Sequence, residues 1–153
     1  MAAIIMIKVS LFCVGRLKEK FYIDAVAEYQ KRLGRYCSFS ITELPEYGDP
    51  VREGKELLAR IPASSYIVAL CIEGRMISSA DLAAFLADRA LSGDTRLCFL
   101  IGGSDGLSDE VKRHAAFRMS MSPMTFPHHL ARVMLAEQLY RGFSINAGAK
   151  YHK

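Results

Sequence analysis

No two of the four cysteines in this 153-residue chain, Cys13, Cys37, Cys71 and Cys98, form a C-x-x-C pair. Nor are His114, His128, His129 and His152 spaced with them as zinc ligands. No metal centre is therefore expected. Each cysteine falls in or beside an apolar, β-prone run, as buried free thiols of a reducing compartment do. There is no long lysine or arginine run. The net charge of +4 and pI near 8.9 permit a nucleic-acid partner without requiring one. No positive segment precedes the first apolar residues, and Lys8 breaks that run. Neither a signal peptide nor a membrane span is expected, and the cytoplasm is the expected location. Repeats, low-complexity segments and linkers are missing too, so residues 1–153 read as one domain.

Common nucleotide and hydrolase signatures are also missing. The run Ile101-Gly102-Gly103-Ser104-Asp105-Gly106 is neither GxxxxGK[ST] nor GxGxxG. No acidic residue follows about twenty positions on, at the end of a next strand. Serine, histidine and aspartate occur without the GxSxG nucleophile elbow. The plain reading of the glycine run is a tight turn needing positive φ. The functional one is a backbone that packs closely against a flat ligand such as adenine.

What is present is a full core, with 51% hydrophobic and 24% charged residues. Ile4 to Phe12 reads as a strand buried on both faces. Leu17 to Leu33 reads as a helix with Phe21, Ala25, Tyr29 and Leu33 inward; Lys18, Lys20, Lys31 and Arg32 form its solvated or RNA-facing side. Cys37 to Leu44 is a second strand, Pro45 to Pro50 a turn-rich and mobile connection, and Val51 to Arg60 a helix with Leu57 and Leu58 inward. Tyr66 to Ile72 is a third strand, with Glu73 to Met76 as the loop beyond it. Ser78 and Asp81 make a capping box for a helix to Leu91. Leu97 to Ile101 is the fourth strand. Ser108 caps another helix, and Phe117 to Met121 is the fifth strand. This alternation predicts an α/β fold on a mainly parallel sheet with helices on both faces.

The last third organises the chain. Two strands there end in loops, at Gly102 and at Ser122, and each loop opens a helix. Ligands of open parallel sheets bind at such ends, so one site built from both loops is expected. From Pro127 to Ile145 the helix is apolar nearly all round, which calls for cover on every side. A subunit interface is expected to supply part of it. Its polar line holds Glu137 and Arg141 at i,i+4, a helix-stabilising ion pair or a functional one. The terminal Tyr151-His152-Lys153 would ordinarily fray. In a dimer packed through this helix, it could reach the partner's site.

The stretch IGGSDGLS, then MTFPHHLARVMLAEQLYRGFSI and the final YHK, resembles the SPOUT-class RNA methyltransferases, and within them the RlmH family. The resemblance spans essentially the whole chain and is densest from Leu97 onward. It implies a C-terminal trefoil knot and S-adenosylmethionine as methyl donor. It implies methylation of N3 of a pseudouridine in large-subunit ribosomal RNA, by a homodimer without metal or membrane, with RNA in an assembled ribosome as the expected partner. The alternatives are a catalytically silent RNA- or ribosome-binding module on the same fold, and a small-molecule enzyme with a nucleotide cofactor.

By the same resemblance the cofactor is held by Leu70, by Gly102 and Gly103, and by Met121, Ser122, Pro123, Met124, Thr125 and Phe126. Leu70 and Met124 would sandwich the adenine, and Pro123 offers no amide. The catalytic group implied is Arg141, stabilising negative charge on the uracil oxygens. Glu137 would hold Arg141 or take the N3 proton, and His152 is the other candidate base. Tyr151 would pack on the target base and Lys153 meet phosphate, so that His128, Arg141, Tyr151, His152 and Lys153 face the RNA.

Overall fold

The computed structural model describes residues 6–152. Strands and helices alternate: β1 (Lys8–Val14), α1 (Lys20–Leu33), β2 (Ser38–Leu44), α2 (Pro50–Arg60), β3 (Tyr66–Met76), α3 (Ser79–Leu91), β4 (Arg96–Ile101), α4 (Asp109–His114), β5 (Phe117–Ser120) and α5 (His128–Asn146). The sheet has the order β2-β1-β4-β3-β5, every pairing parallel. The start expected for the first strand, at Ile4, lies outside the described residues, and that strand runs on to Val14.

Alternation along the strands sorts the core into two halves. Val9, Leu11 and Cys13 of β1 join Leu33 of α1, Leu82 and Leu86 of α3, and Leu135 and Leu139 of α5. Phe12 and Val14 join Leu57 of α2 and Val111 of α4. Thus α1, α3 and α5 cover one face and α2 and α4 the other. Strands β1 and β4 read as continuous apolar runs because both of their faces are covered. The capping box forms as expected: Asp81 N–H donates to Ser78 Oγ and Ser78 N–H to Asp81 Oδ2, both at 3.0 Å. Ser108 Oγ accepts from Val111 N–H at 3.3 Å.

Four expectations need correction. In α1, Val26 and Leu33 are buried while Phe21 is 66% exposed. Four residues turn a helix by about 400°, so a strict i+4 line drifts by about 40° per step and leaves the inner face. Residues Glu73 to Met76 are not simply a loop. Strand β3 bulges after Leu70 and pairs again with β5, Arg75 against Met119 and Met76 against Ser120. Gly74 allows this, because a Cβ there would stand 2.8 Å from the Arg118 and Met119 carbonyl carbons.

The β2–α2 connection is tied down. Buried Glu53 accepts from the amides of Tyr47 (2.7 Å) and Gly48 (3.0 Å), and the Arg52 guanidinium covers the Tyr47 ring at 3.6 Å. Finally, α5 finds much of its cover within the chain. It packs against both α1 and α3, and Leu139 is wholly buried in the core. Leu130, Val133, Met134 and Tyr140 stay only partly covered.

Candidate active site

At the carboxyl ends of β3, β4 and β5 the chain encloses a cavity of about 780 Å³. Its walls include Leu70, Gly102, Gly103, Met121, Ser122, Met124, Thr125 and Phe126, with His128 at its edge. All but one of the residues expected to bind a cofactor are thus brought together. Pro123 is the exception: it is exposed and lies outside the lining. Met124 is 71% exposed, so it covers the open side of the cavity and not its depth. The size suits a drug-sized ligand. Apolar Leu70, Ile101 and Leu107 stand beside backbone amides and carbonyls of two loops, the mixture that a flat nucleoside requires.

The glycines have physical reasons. At Gly102 a Cβ would run into the backbone of Gly106, and at Gly103 it would overlap the Glu46 carboxylate. The turn closes with the Gly106 N–H donating to the Gly103 carbonyl at 3.0 Å, and Gly106 itself has φ +81°. The tight-turn reading of this run therefore describes it, with close packing against the chain's own backbone and Glu46.

A second cluster forms on α5 and the tail. Arg141 donates from Nε (2.9 Å) and Nη2 (2.6 Å) to Glu137 Oε1. The Tyr151 hydroxyl donates to the same oxygen at 3.2 Å, and its ring lies 4.8 Å from the Arg141 guanidinium carbon. Gln138 Nε2 donates to Glu137 Oε2 at 2.8 Å. Arg141 Nη1 lies 3.1 Å from His152 Nδ1. Since a guanidinium only donates, Nδ1 is the acceptor and a neutral His152 carries its proton on Nε2. The residues picked out as catalytic, Glu137, Arg141, Tyr151 and His152, therefore do meet. Lys153 lies outside the described residues.

None of those four lines the cavity. Glu137 is nine residues beyond His128 on the same helix, about 13 Å further along and about half a turn round. One chain therefore keeps its tail cluster away from its own cavity.

Several groups escaped the sequence reading. Arg132 is buried to 1%, donates from Nη1 to Glu43 Oε2 and from Nη2 to the Gly15 carbonyl at 2.9 Å. Its signal was a lone cation within an apolar stretch, Leu130 to Ala136. Cys71, Glu73 and Lys112 also line the cavity, with Lys112 and Glu73 forming an ion pair. They come from the bulge in β3 and from α4, which no motif marks. Cys71 is half-buried, unlike Cys13, Cys37 and Cys98.

Electrostatics follow from these contacts. Burial pulls the His128 imidazole below its ordinary pKa, and neighbouring His129 adds to that. The Ser104 amide, most of all, holds the Glu46 carboxyl low. Burial pushes the Tyr151 phenol up to about 12, so it stays protonated. Hydrogen bonding to Glu137 raises Arg141 further, so its charge is permanent. Among the described residues no group of three or more His, Cys, Asp or Glu could hold a metal ion, and no helix is long and apolar enough to cross a membrane.

Comparison with known proteins gives a consistent result. Residues 7–152 match the family described as Predicted SPOUT methyltransferase. The chain is 43% identical to the ribosomal RNA large subunit methyltransferase H of Clostridioides difficile, covering 95% of this chain and 99% of that one. Against the protein of the same name from Bifidobacterium adolescentis it is 42% identical, with the same coverage. A probable methyltransferase from Bordetella pertussis Tohama I shares the fold, with TM-score 0.55 at 10% identity over 90% of this chain and 96% of that one. A probable methylase family protein from Haemophilus influenzae Rd KW20 does so with TM-score 0.55 at 13% identity, over 96% and 70%. With its parallel five-stranded sheet, its cavity at the strand ends and a family match over nearly its whole length, the chain belongs to the SPOUT methyltransferase family.

Proposed function

We propose that this chain transfers a methyl group from S-adenosylmethionine to N3 of a pseudouridine in the RNA of the large ribosomal subunit. It does so as a cytoplasmic homodimer in which each cavity is completed by the other chain's tail. The observation that carries this reading is the separation of two clusters on one helix. The cavity has loops for a cofactor, but its charged side chains are Asp105 and the mutually paired Glu73 and Lys112, with no guanidinium or imidazole cluster like that of the tail. The Glu137–Arg141–Tyr151–His152 group has the chemistry but no cavity. A second copy packed along α5 brings the two together, and the partly covered Leu130, Val133, Met134 and Tyr140 provide the surface. The C-terminal trefoil knot expected of the family belongs to the same reading, since both of its expected loops, at 102–106 and 121–127, meet at one cavity.

When bound, S-adenosylmethionine supplies an electrophilic methyl on a sulfonium. The chain's task is then alignment and charge stabilisation. N3 of the ring becomes nucleophilic as its proton leaves, and negative charge grows on the flanking ring oxygens. Arg141, permanently charged, is placed to meet that charge through the N–H groups that Glu137 leaves free. Glu137 already accepts from Arg141, Tyr151 and Gln138. Its role is to hold Arg141, not to take the proton. His152, with Nδ1 accepting from Arg141, presents its Nε2–H outward as a donor to a ring oxygen; to act as the base it turns away from Arg141, so that the lone pair of Nδ1 faces N3 and takes its proton. Tyr151 stays neutral and offers a flat face beside the cation for stacking on the base. His128 at the cavity edge, Lys153 at the tail and the cations of α1 contribute to holding RNA, and binding is then salt-sensitive.

The test is mass spectrometry of ribosomal RNA nucleosides from cells with and without the gene. Loss of a methylated pseudouridine, restored by the intact protein, is the expected result. An unchanged nucleoside profile refutes the reading.

A further inference from the structure

Neither cofactor loop is held in place only by its own turn. The end of β2 and the residues just after it reach the first loop and the helix that the second loop opens. Glu46 Oε2 accepts from the Ser104 amide at 2.8 Å and from the Ser104 hydroxyl at 3.1 Å, fastening the loop that follows β4. Its other oxygen stands 3.6 Å from His128 Nε2, at the start of α5. Three residues earlier, Glu43 Oε2 accepts from Arg132 Nη1 and from the Leu17 amide at 2.9 Å. Arg132 is one turn beyond His128 and wholly buried, and its Nη2 is taken by the Gly15 carbonyl at the end of β1. Two carboxylates on one short segment therefore hold the first loop and the helix that the second loop opens. None of residues 43–47 touches the cavity.

The segment that carries them is itself fixed. Glu53 clamps the Tyr47 and Gly48 amides, Asp49 caps α2 by accepting from the amides of Val51 and Arg52, and Gly54 of α2 lies tight against Ser108 and Val111 of α4. Gly103 is glycine where a Cβ would overlap Glu46 Oε2. The loop sequence and the carboxylate thus fit each other.

We infer that Glu46 is a positioning residue for the donor site, and that with Glu43 it sets the spacing of the two loops before any ligand arrives. This rests on the reading of the cavity as the S-adenosylmethionine site. A pre-set pair of loops binds more tightly because less ordering remains to be done on binding. Removing the brace therefore weakens donor binding and leaves the chemistry of the bound complex alone.

Calorimetry of the full-length protein with S-adenosylhomocysteine tests this, together with steady-state kinetics. Glu46→Ala should raise the dissociation constant, and KM for the donor, at least about tenfold, with kcat at saturating donor within about twofold of wild type. Glu46→Gln, whose amide carbonyl still accepts from Ser104, should recover most of the affinity. Gly103→Ala, which pushes the carboxylate away, should weaken binding as well. The double variant Glu46→Ala/Gly103→Ala should be no worse than the weaker-binding single one. Wild-type affinity in Glu46→Ala, even with a lowered melting temperature, would overturn the inference, as would fully multiplicative losses in the double variant. A wild-type protein that binds no S-adenosylhomocysteine overturns the cavity reading itself, and the brace with it.

Discussion

The cavity draws its walls from three strand ends and two loops, Leu70, Gly102–Leu107, Met119–Ser122 and Met124–Phe126, packed on the two core halves that flank the sheet. The Glu137–Arg141–Tyr151–His152 cluster draws on one helix and the tail that follows it, joined by side-chain hydrogen bonds near the surface. The first is backbone-built and resists local change, because moving it means repacking strands. The second is side-chain-built, so each member can be removed without unfolding the chain. If the cavity binds the donor and the cluster does the chemistry, as proposed, variants can address one without the other.

The sharpest break of the comparison comes at α5, which serves both regions. Leu139→Asp should cost at least about 3 kcal/mol in urea unfolding, because Leu139 is wholly buried within one chain and the new carboxylate has no partner there. Val133→Asp, on the partly covered face, should leave the unfolding midpoint near wild type and halve the mass seen by light scattering, from about twice 17.0 kDa to one copy. An intact, fully active dimer in Val133→Asp would move the interface elsewhere.

Next in size is the tail. Deleting Tyr151–Lys153, or making Arg141→Ala, should lower turnover at least about tenfold while S-adenosylhomocysteine affinity stays within about threefold. A truncated chain that methylates at the normal rate would make the cluster a structural ornament of α5.

Acid should act on the cavity side first. His128 titrates below its ordinary 6.5 in the folded chain, so the unfolded chain binds that proton more readily and stability falls as pH drops below about 6.5. Glu46, held below its ordinary 4.5, is deprotonated in the folded state. Its contribution is complete above that value and is lost as pH falls through its lowered one. Melting temperature measured from pH 8 to pH 3 should therefore decline in two stages, and His128→Gln should remove only the upper one. The smallest effect expected is that of Tyr151→Phe. It keeps the ring against Arg141 and loses one hydrogen bond of about 1 kcal/mol. Turnover should change by less than about fivefold.

Much of this was legible in the residues. Strand and helix order, the capping box at Ser78 and the converging loops follow from local patterns, because burial on one or two faces imposes a period that any strand or helix must show. The pairing of Glu137 with Arg141 follows from helix geometry alone. Other features were hidden for equally physical reasons. The bulge in β3 is paid out through long-range pairing with β5 and has no local signature. The placing of α5 between α1 and α3 depends on sheet order, which apolar periodicity cannot convey.

By itself, then, the sequence determined which stretches form strands and helices, and which residue types stand at their ends, since those choices are made by neighbours within a few positions. Only the tertiary structure decided that Glu43 and Glu46 meet Arg132 and Ser104, respectively 89 and 58 residues away. It alone set the cavity and the tail cluster on different sides of α5. Contacts between polar groups so distant in the chain are chosen by the packing of whole elements, and no local pattern encodes that choice.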